Sequence, residues 1–94
     1  MPATPVLTDP VVTVRYWAAA RAAAGVAEEQ VTATTLAEAL GEIRSRHADR
    51  DRFAAVLDSC SILIDGVQAR TTDPAAVRLP AGARVECLPP FAGG

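Results

Sequence analysis

Residues 11–17 read VVTVRYW. The stretch is rich in β-branched and aromatic residues and alternates with period two, which predicts a strand. One face of that strand carries Val12, Val14 and Tyr16. The other face carries Val11, Thr13, Arg15 and Trp17. We expect the first set to be buried and the second set to lie on an open face of a sheet.

The next residues extend this strand into a hairpin. AAARAAAG, residues 18–25, predicts two turns of helix because alanine and arginine are strong helix formers, and Gly25 is placed to end it. EEQVTA, residues 28–33, predicts a second, shorter strand that pairs with the first. The connection of the hairpin therefore contains the helix.

The longest helix is predicted after that hairpin. Thr35 followed by Glu38 is the pattern of a capping box, which begins a helix. Apolar positions then recur at helical spacing and form one stripe that can pack on a sheet: Leu36, Ala39, Leu40, Ile43 and His47. Gly41 inside this helix costs about 1 kcal/mol relative to alanine, and close packing is the only reason we would expect for it.

The second half of the chain predicts a short helix and three strands. DRFAAVLDS, residues 51–59, predicts a short turn of helix that directs Phe53, Val56 and Leu57 inward. SILID, residues 61–65, predicts a third strand that ends at the turn signal Asp65-Gly66. The remaining segments are a brief strand at 67–70, a loop at 71–75, a turn at 79–82 and a last strand at 83–89.

This element order, ββαβββ, favours an α+β fold in two layers over a βαβ repeat. One compact solution places the first and last strands side by side and parallel in mid-sheet, with one main helix on one face; this is the β-grasp, or ubiquitin-like, fold. The alternative is a ferredoxin-like split sheet, which needs a second long helix that residues 66–84 do not offer. We expect a β-grasp domain at 11–90, a flexible arm at 1–10 and a flexible tail at 91–94.

Composition limits the possible functions. With 94 residues, half of them apolar, the chain is one small domain that can bury a core. A net charge of -2 and a pI near 5.2 leave no general basic surface, so we expect no nucleic-acid partner. No apolar run approaches the ~20 residues of a membrane span, and the first ten residues lack a secretory signal pattern. We therefore expect a cytoplasmic protein with no membrane association.

Reactive side chains are few. Cys60 and Cys87 are far apart, and the chain has one histidine, so neither a CxxC redox pair nor a metal-ligand cluster is available. We expect two reduced core cysteines and no metal site. All nine basic residues are arginine, so no lysine is available through which copies of the protein could be joined. A GC-rich genome would produce the same bias.

The last strand predicts a docking patch. Val85 and Cys87 alternate onto the core face, which leaves Leu88 exposed on the open face. If the first and last strands are parallel neighbours, Trp17 and Leu88 lie at the same end of that face, where two large apolar groups suggest a docking patch. Trp17 could instead fold back onto its own neighbours.

Two arginines share the open face with this patch. Arg15 belongs to the first strand and Arg84 to the last. They form either a polar rim around the patch or charges that only favour solubility.

The ending CLPPFAGG, residues 87–94, predicts a presented tail. Pro89 and Pro90 cannot donate to a sheet and have a fixed φ, so they end the strand and direct the following residues outward. Gly93 and Gly94 lack Cβ atoms and can enter a slot too narrow for other residues.

The α-carboxylate of Gly94 is ionised at neutral pH and becomes an acyl donor only as a mixed anhydride, such as an acyl adenylate. No segment resembles a phosphate-binding loop, so an outside enzyme must supply the activation.

The segment PPFAGG resembles the PPVxGG ending of the MoaD/ThiS sulfur-carrier family. Within that family the chain is most like the small subunit of molybdopterin synthase. The resemblance covers residues 11–94, and its distinctive parts are RYWAAARAAAG, the DGV turn and LPAGARVECLPPFAGG.

The resemblance implies a specific chemistry. An E1-like adenylyltransferase uses ATP to activate the terminal carboxylate, sulfur from a persulfide replaces the AMP, and the thiocarboxylate at Gly94 is the working group. In molybdopterin synthase the tail enters a pocket of the large subunit and gives its sulfur to cyclic pyranopterin monophosphate, while Gly93 keeps the passage narrow. No cofactor is bound by the carrier itself. The partner-binding residues are then Trp17, Leu88, Pro89, Pro90, Phe91 and Ala92.

Some residues depart from the family pattern, and other functions stay open. Ala22 stands where many members have an acidic residue, which leaves open which partner is recognised; Gly82-Ala83 replaces a usual Gly-Asp turn. The alternatives are a sulfur carrier for cysteine or thiamin synthesis, a ubiquitin-like protein modifier that forms amides with target lysines, and a binding module without chemistry.

Overall fold

Five strands form one mixed sheet, and three helices pack on one of its faces. The computed structural model describes residues 10–70 and 72–90. The strands are β1 (Val11–Tyr16), β2 (Glu28–Thr32), β3 (Ser61–Ile64), β4 (Val67–Gln68) and β5 (Arg84–Leu88). The helices are α1 (Ala18–Ala24), α2 (Leu36–Arg46) and α3 (Phe53–Ser59), and one turn of 3₁₀ helix spans Pro74–Ala76.

Strands β1 and β5 lie side by side and parallel at the centre of the sheet. Their register pairs Thr13 with Arg84 and Tyr16 with Cys87. Strand β2 pairs with β1 on one side, while β3 and β4 complete the other side, all in antiparallel pairs. The resulting order, β2-β1-β5-β3-β4, confirms the predicted α+β, β-grasp arrangement.

The core forms where the period-two pattern predicts it. Val12, Val14, Val85 and Cys87 are fully buried, and Tyr16 is 1% exposed. The predicted stripe of α2 covers this surface, and all five of its residues are buried, His47 included. Each fully buried aliphatic side chain contributes about 1.5–3 kcal/mol relative to an exposed one. The alternation therefore places a continuous apolar layer between the sheet and α2.

Gly25 ends α1, as predicted. Its φ is 80°, in the left-handed region that favours glycine, and its N–H donates to the carbonyl of Arg21 at 2.9 Å. A Cβ at this position would stand 2.8 Å from the guanidinium of Arg50. The backbone conformation therefore requires glycine, whereas the Arg50 side chain could move aside.

Helix α2 begins with a shifted version of the predicted capping box. Thr35 Oγ1 accepts the N–H of Glu38 at 3.1 Å, as expected. The Glu38 carboxylate, however, accepts the backbone N–H and the hydroxyl of Thr34, both at 2.7 Å, one residue before the N-cap. These bonds hold the pKa of Glu38 below its usual value.

Gly41 does not have the role expected for it. Among the described residues, no atom outside the neighbouring backbone of α2 lies within 4 Å of the position that a Cβ would take, so close packing is wrong as the explanation. Nothing in the structure explains this glycine.

The turns agree closely with the sequence, while some element lengths differ. Asp65 and Gly66 have φ of 49° and 85°, which makes the β3–β4 connection a tight two-residue turn. Strand β4 ends at Gln68, two residues before its predicted end. The segment predicted as a loop contains the 3₁₀ turn, which Pro74 begins because its fixed φ suits a first helical position.

The predicted arm and tail lie almost entirely outside the described residues. Of the arm only Pro10 is described, and its carbonyl accepts the N–H of Ala33 at 2.9 Å. In the part of the chain that the structure describes, no helix has the length and apolar character needed to cross a membrane. The same part holds no group of three or more His, Cys, Asp or Glu side chains placed to bind a metal ion.

Candidate functional site

Trp17 and Leu88 lie at the same end of the open face, where β1 and β5 end together. The pairing of Tyr16 with Cys87 makes them neighbours across the two strands, and the Trp17 N–H donates to the carbonyl of Cys87 at 3.2 Å. Trp17 is 39% exposed. Leu88 is partly buried, so the expectation of an exposed Leu88 is wrong; on its other side it pairs with Ser61 of β3. We call these two residues the docking patch.

The indole of Trp17 is held between two charged side chains of the same face. Arg15 Cζ lies 4.5 Å from the centroid of the ring, in a cation–π contact. The indole N–H donates to Glu86 Oε2 at 2.9 Å. Trp17 thus folds onto its neighbours, as one of the two sequence interpretations allowed, while keeping a large exposed apolar surface. We call Arg15, Trp17 and Glu86 the tryptophan clamp.

The backbone directly after Trp17 is strained. Ala18, the first residue of α1, has φ of 47°, which costs roughly 1–2 kcal/mol for a residue other than glycine. The helical bond from Ala20 N–H to the Trp17 carbonyl, at 2.9 Å, follows at once. This corner turns the chain from β1 into α1 while the Trp17 side chain stays on the open face.

The two prolines at the end of β5 differ in exposure. Pro89 is buried and Pro90 is exposed. Burial gives Pro89 a packing role in the domain in addition to the strand-ending role predicted for it. The other predicted tail residues, Phe91, Ala92, Gly93 and Gly94, lie outside the described residues.

On the opposite face of β1 the structure contains a polar cluster that the sequence analysis missed. The carboxylate of Glu29 accepts the hydroxyl of Tyr16 at 2.5 Å and lies 2.5 Å from His47 Nε2. Its other oxygen pairs with Arg46 Nη1 at 3.1 Å, and the same nitrogen donates to the carbonyl of Gln30 at 2.9 Å. We call Tyr16, Glu29, Arg46 and His47 the hub; Arg46 lies at its exposed edge.

Electrostatics fit this geometry. Burial alone would raise the pKa of Glu29, but hydrogen bonds from Tyr16, His47 and Arg46 outweigh it and hold that pKa below its usual value. Burial and the bond to Glu29 raise the pKa of Tyr16 far above its usual value. Phe53 closes the site, with its ring centroid 4.7 Å from that of His47. The hub therefore joins β1, β2 and α2 through a carboxylate that stays ionised.

A signal for the hub is present in the sequence. Arg15 pairs in register with Glu28, and Val14 pairs with Glu29. The alternation that buries Val14 therefore carries Glu29 to the core face. An acid on a core face needs a partner, and His47 was already on the predicted apolar stripe of α2.

Residues 14–94 match the ThiS family. The chain belongs to the ThiS family. This confirms the family resemblance seen in RYWAAARAAAG and PPFAGG. A search among curated proteins found no significant match.

Solved structures support the fold of this ThiS-family chain. Small archaeal modifier protein 1 from Methanosarcina acetivorans is 22% identical, with a TM-score of 0.72 over 89% of this chain and 96% of that one. A putative molybdopterin converting factor subunit 1 from Pyrococcus furiosus is 25% identical, with a TM-score of 0.69 over 86% and 98%.

A third solved structure contains two subunits. In the Helicobacter pylori complex of subunits 1 and 2 of molybdopterin-converting factor, the matching chain is 20% identical, with a TM-score of 0.61 over 89% of this chain and 99% of that one. The family match and these neighbours agree on the β-grasp fold of this chain.

The thiols of this ThiS-family chain are poorly suited to nucleophilic chemistry. Burial raises the pKa of Cys60 to about 11 and that of Cys87 to about 12, so both stay protonated at neutral pH. The Cys60 thiol also donates to the carbonyl of Val56 at 3.2 Å. Both cysteines are free, as expected.

A shallow groove between α1 and α3 offers little room for a cofactor. Its volume is about 140 Å³, and its lining is mainly alanine methyl groups, with Val56 and one charged residue, Arg52. Small-molecule sites usually measure roughly 300–1,000 Å³ and combine apolar walls with several polar groups. The groove has neither the size nor the polar groups of such a site.

Proposed function

We propose that this ThiS-family protein is a cytoplasmic sulfur carrier and the small subunit of molybdopterin synthase. Its C-terminal Gly94 would be adenylated, converted to a thiocarboxylate and used to give sulfur to cyclic pyranopterin monophosphate. The observation that carries the proposal is the junction of β5 with the sequence PPFAGG, directly beside the half-exposed Trp17. The described end of β5 and the exposed part of Trp17 lie next to each other, which supports a tail and a protein-binding surface that act together.

The chemistry assigns most steps to partner proteins. An E1-like adenylyltransferase joins the Gly94 carboxylate to AMP from ATP and releases pyrophosphate. The outer sulfur of an enzyme persulfide then attacks the acyl carbon, and AMP leaves. A thiol next cleaves the sulfur–sulfur bond of the resulting acyl disulfide, which releases the thiocarboxylate and leaves a disulfide on the donor. The carrier contributes the acyl group and a glycine pair that fits a narrow passage. Its own protonated, buried thiols are consistent with the sulfur coming from elsewhere.

The docking patch is the surface we assign to the large subunit. Trp17 has a large exposed apolar area on a rigid support, and tryptophan is among the residues that most often dominate binding energy. We assign Leu88 to the edge of this contact. Pro90, Phe91 and Ala92 would lead the glycines into the partner, with Pro89 as the packed base of the tail. The complex of subunits 1 and 2 from Helicobacter pylori supports a partner of this kind.

Intact mass spectrometry tests the central step. The untagged protein is incubated with its host's E1-like enzyme, ATP and a persulfide donor. We expect a mass change equal to the exchange of one oxygen for sulfur, located at Gly94. A variant lacking Gly93 and Gly94 is the control and should show no change. The modified protein, the large subunit and cyclic pyranopterin monophosphate together should then yield molybdopterin.

Protein modification is the second candidate function. The similarity to small archaeal modifier protein 1, with a TM-score of 0.72, favours it. A modifier would form an amide with a target lysine, and the adduct would survive thiol treatment. Sulfur transfer to a cysteine or thiamin precursor is the remaining possibility for a carrier. Activity with those acceptors and none with cyclic pyranopterin monophosphate would identify it.

A further inference from the structure

Glu86 is a carboxylate of the open face whose charge is not matched by an ion pair. Arg15 has an acid opposite it on both sides, Glu28 on β2 and Glu86 on β5. Its guanidinium pairs with Glu28 at 3.0 Å. Glu86 accepts the neutral indole N–H of Trp17 at 2.9 Å. Within residues 10–70 and 72–90, Glu86 forms no salt bridge.

The other acids of this face are already engaged. Glu28 is held by Arg15, whose guanidinium also lies over the Trp17 ring. Asp65 Oδ1 accepts the backbone N–H of Arg84 at 2.9 Å, beside the β3–β4 turn. Among the described residues, Glu86 is therefore the partly buried acid that adjoins the docking patch and accepts only a neutral donor.

Docking of a partner on Trp17 would remove water from Glu86. A carboxylate that loses its water without gaining a cation costs several kcal/mol. Polar groups across an interface are arranged with complementary charge, which sets specificity and the rate of association. The indole N–H of Trp17 is already satisfied, so the partner needs no acceptor for it. The complementary surface is thus an apolar recess for the ring with a cation beside it.

We propose that Glu86 is a specificity-determining residue that binds an arginine or lysine side chain of the large subunit next to the recess for Trp17. This inference rests on the proposed function. It also gives Glu86 a second role as a positioning residue, because the same carboxylate holds the indole. Binding a cation of the partner depends on the charge of Glu86, whereas holding the indole depends on its acceptor oxygen. A substitution can therefore separate the two roles.

The test is calorimetric binding of the whole carrier to the large subunit at several salt concentrations. Glu86→Gln keeps an oxygen that can accept the indole N–H but loses the charge. We expect its affinity to fall at least about tenfold, with a weaker dependence on salt. Trp17 is the single tryptophan, so its fluorescence reports the clamp directly, and it should be unchanged in Glu86→Gln. Glu86→Leu removes both interactions and should change the emission as well.

Glu42→Gln is the matched control, because it removes one negative charge from an exposed site on α2, away from the docking patch and from Arg15. Its affinity should change less than threefold, about 0.6 kcal/mol. Equal affinity and equal salt dependence for wild type and Glu86→Gln would overturn the inference while leaving the proposed function intact. Absence of binding by the wild-type protein would overturn both. Recovery of Glu86→Arg binding by an acidic substitution in the large subunit would support the charge pair.

Discussion

The two faces of β1 carry polar clusters that differ in what surrounds them. On the helix side, the hub places one carboxylate, Glu29, among donors from three other residues, and its side chain is 13% exposed. On the open side, the clamp holds Trp17 with Arg15 and Glu86 while 39% of the tryptophan stays exposed. Interactions buried under the helices serve stability, whereas exposed apolar area on the other face is available for binding.

A single step along a strand separates these functions. Glu28 pairs with Arg15 on the open face, and its neighbour Glu29 joins the hub below the sheet. Tyr16 and Trp17 are likewise adjacent in sequence and belong to different clusters. Substitutions one residue apart should therefore affect different properties.

The largest effect on stability should come from Glu29→Ala. The change leaves the buried Tyr16 and His47 without their shared acceptor beneath the sheet, whereas the exposed Arg46 keeps the carbonyl of Gln30. We therefore expect the free energy of unfolding to fall by about 3 kcal/mol. Urea denaturation measures this. Glu42→Ala is the control, since it removes another partner of Arg46 at an exposed site, 3.4 Å away, and should cost under about 0.5 kcal/mol. Equal losses of unfolding free energy in the two variants would show that the hub stabilises the fold no more than an exposed ion pair does.

The largest effect on binding should come from Leu88→Arg. An arginine at the edge of the docking patch adds bulk and an unpaired charge, so affinity for the large subunit should fall at least about thirtyfold. Val67→Arg on β4 is the control because Val67 is 70% exposed and distant from the patch in the sheet order. Adenylation should change little in both variants. Leu88→Arg should lose some unfolding free energy because Leu88 is partly buried, and urea denaturation measures that loss. Unchanged complex formation by Leu88→Arg would contradict the assignment of this surface.

Local patterns predicted the backbone of these two regions well. The alternation of Val12, Val14 and Tyr16 identified the buried face, and Gly25 identified the end of α1, because both depend on neighbouring residues alone. The parallel pairing of β1 with β5 also followed, since few compact arrangements satisfy the element order. These features require no knowledge of side-chain geometry.

The side-chain contacts of the clamp and the hub could not be predicted from these local patterns, although the alternation placed Glu29 on the core face. Glu86 reaches Trp17 across 69 residues of sequence, and only the register of β1 with β5 brings them together. The hub combines residues of β1, β2 and α2, so the angle between α2 and the sheet decides whether His47 meets Glu29. The partial burial of Leu88 likewise depends on neighbours in other strands.

Stability should also depend on acidity through the hub. The pKa of Glu29 lies below its usual 4.5 in the folded protein, because Tyr16, His47 and Arg46 favour the charged form. Its contribution is therefore complete above about pH 4.5, the unfolded value, and is lost as the pH falls through the folded pKa. Melting temperatures recorded at about four pH values between pH 7 and pH 3 measure this loss of stability.

Glu29→Gln is the variant that isolates this dependence. In this variant the melting temperature should fall less steeply between about pH 4.5 and pH 3 than it does in the wild type. Glu38 has a pKa shifted in the same direction by its bonds to Thr34, so a smaller acid dependence should remain. An acid limb identical to that of the wild type would show that Glu29 does not cause it.

The smallest effect should come from the corner between the two regions. Ala18→Gly relieves a left-handed conformation that costs roughly 1–2 kcal/mol, but glycine at a helix start loses up to about 1 kcal/mol of helix propensity. The variant should therefore be as stable as the wild type or more stable by about 1 kcal/mol. Ala19→Gly, one residue on, has only the propensity loss and should be less stable. Equal losses in urea denaturation would mean that Ala18 is unstrained in solution, and the turn that separates Trp17 from α1 would then need another explanation.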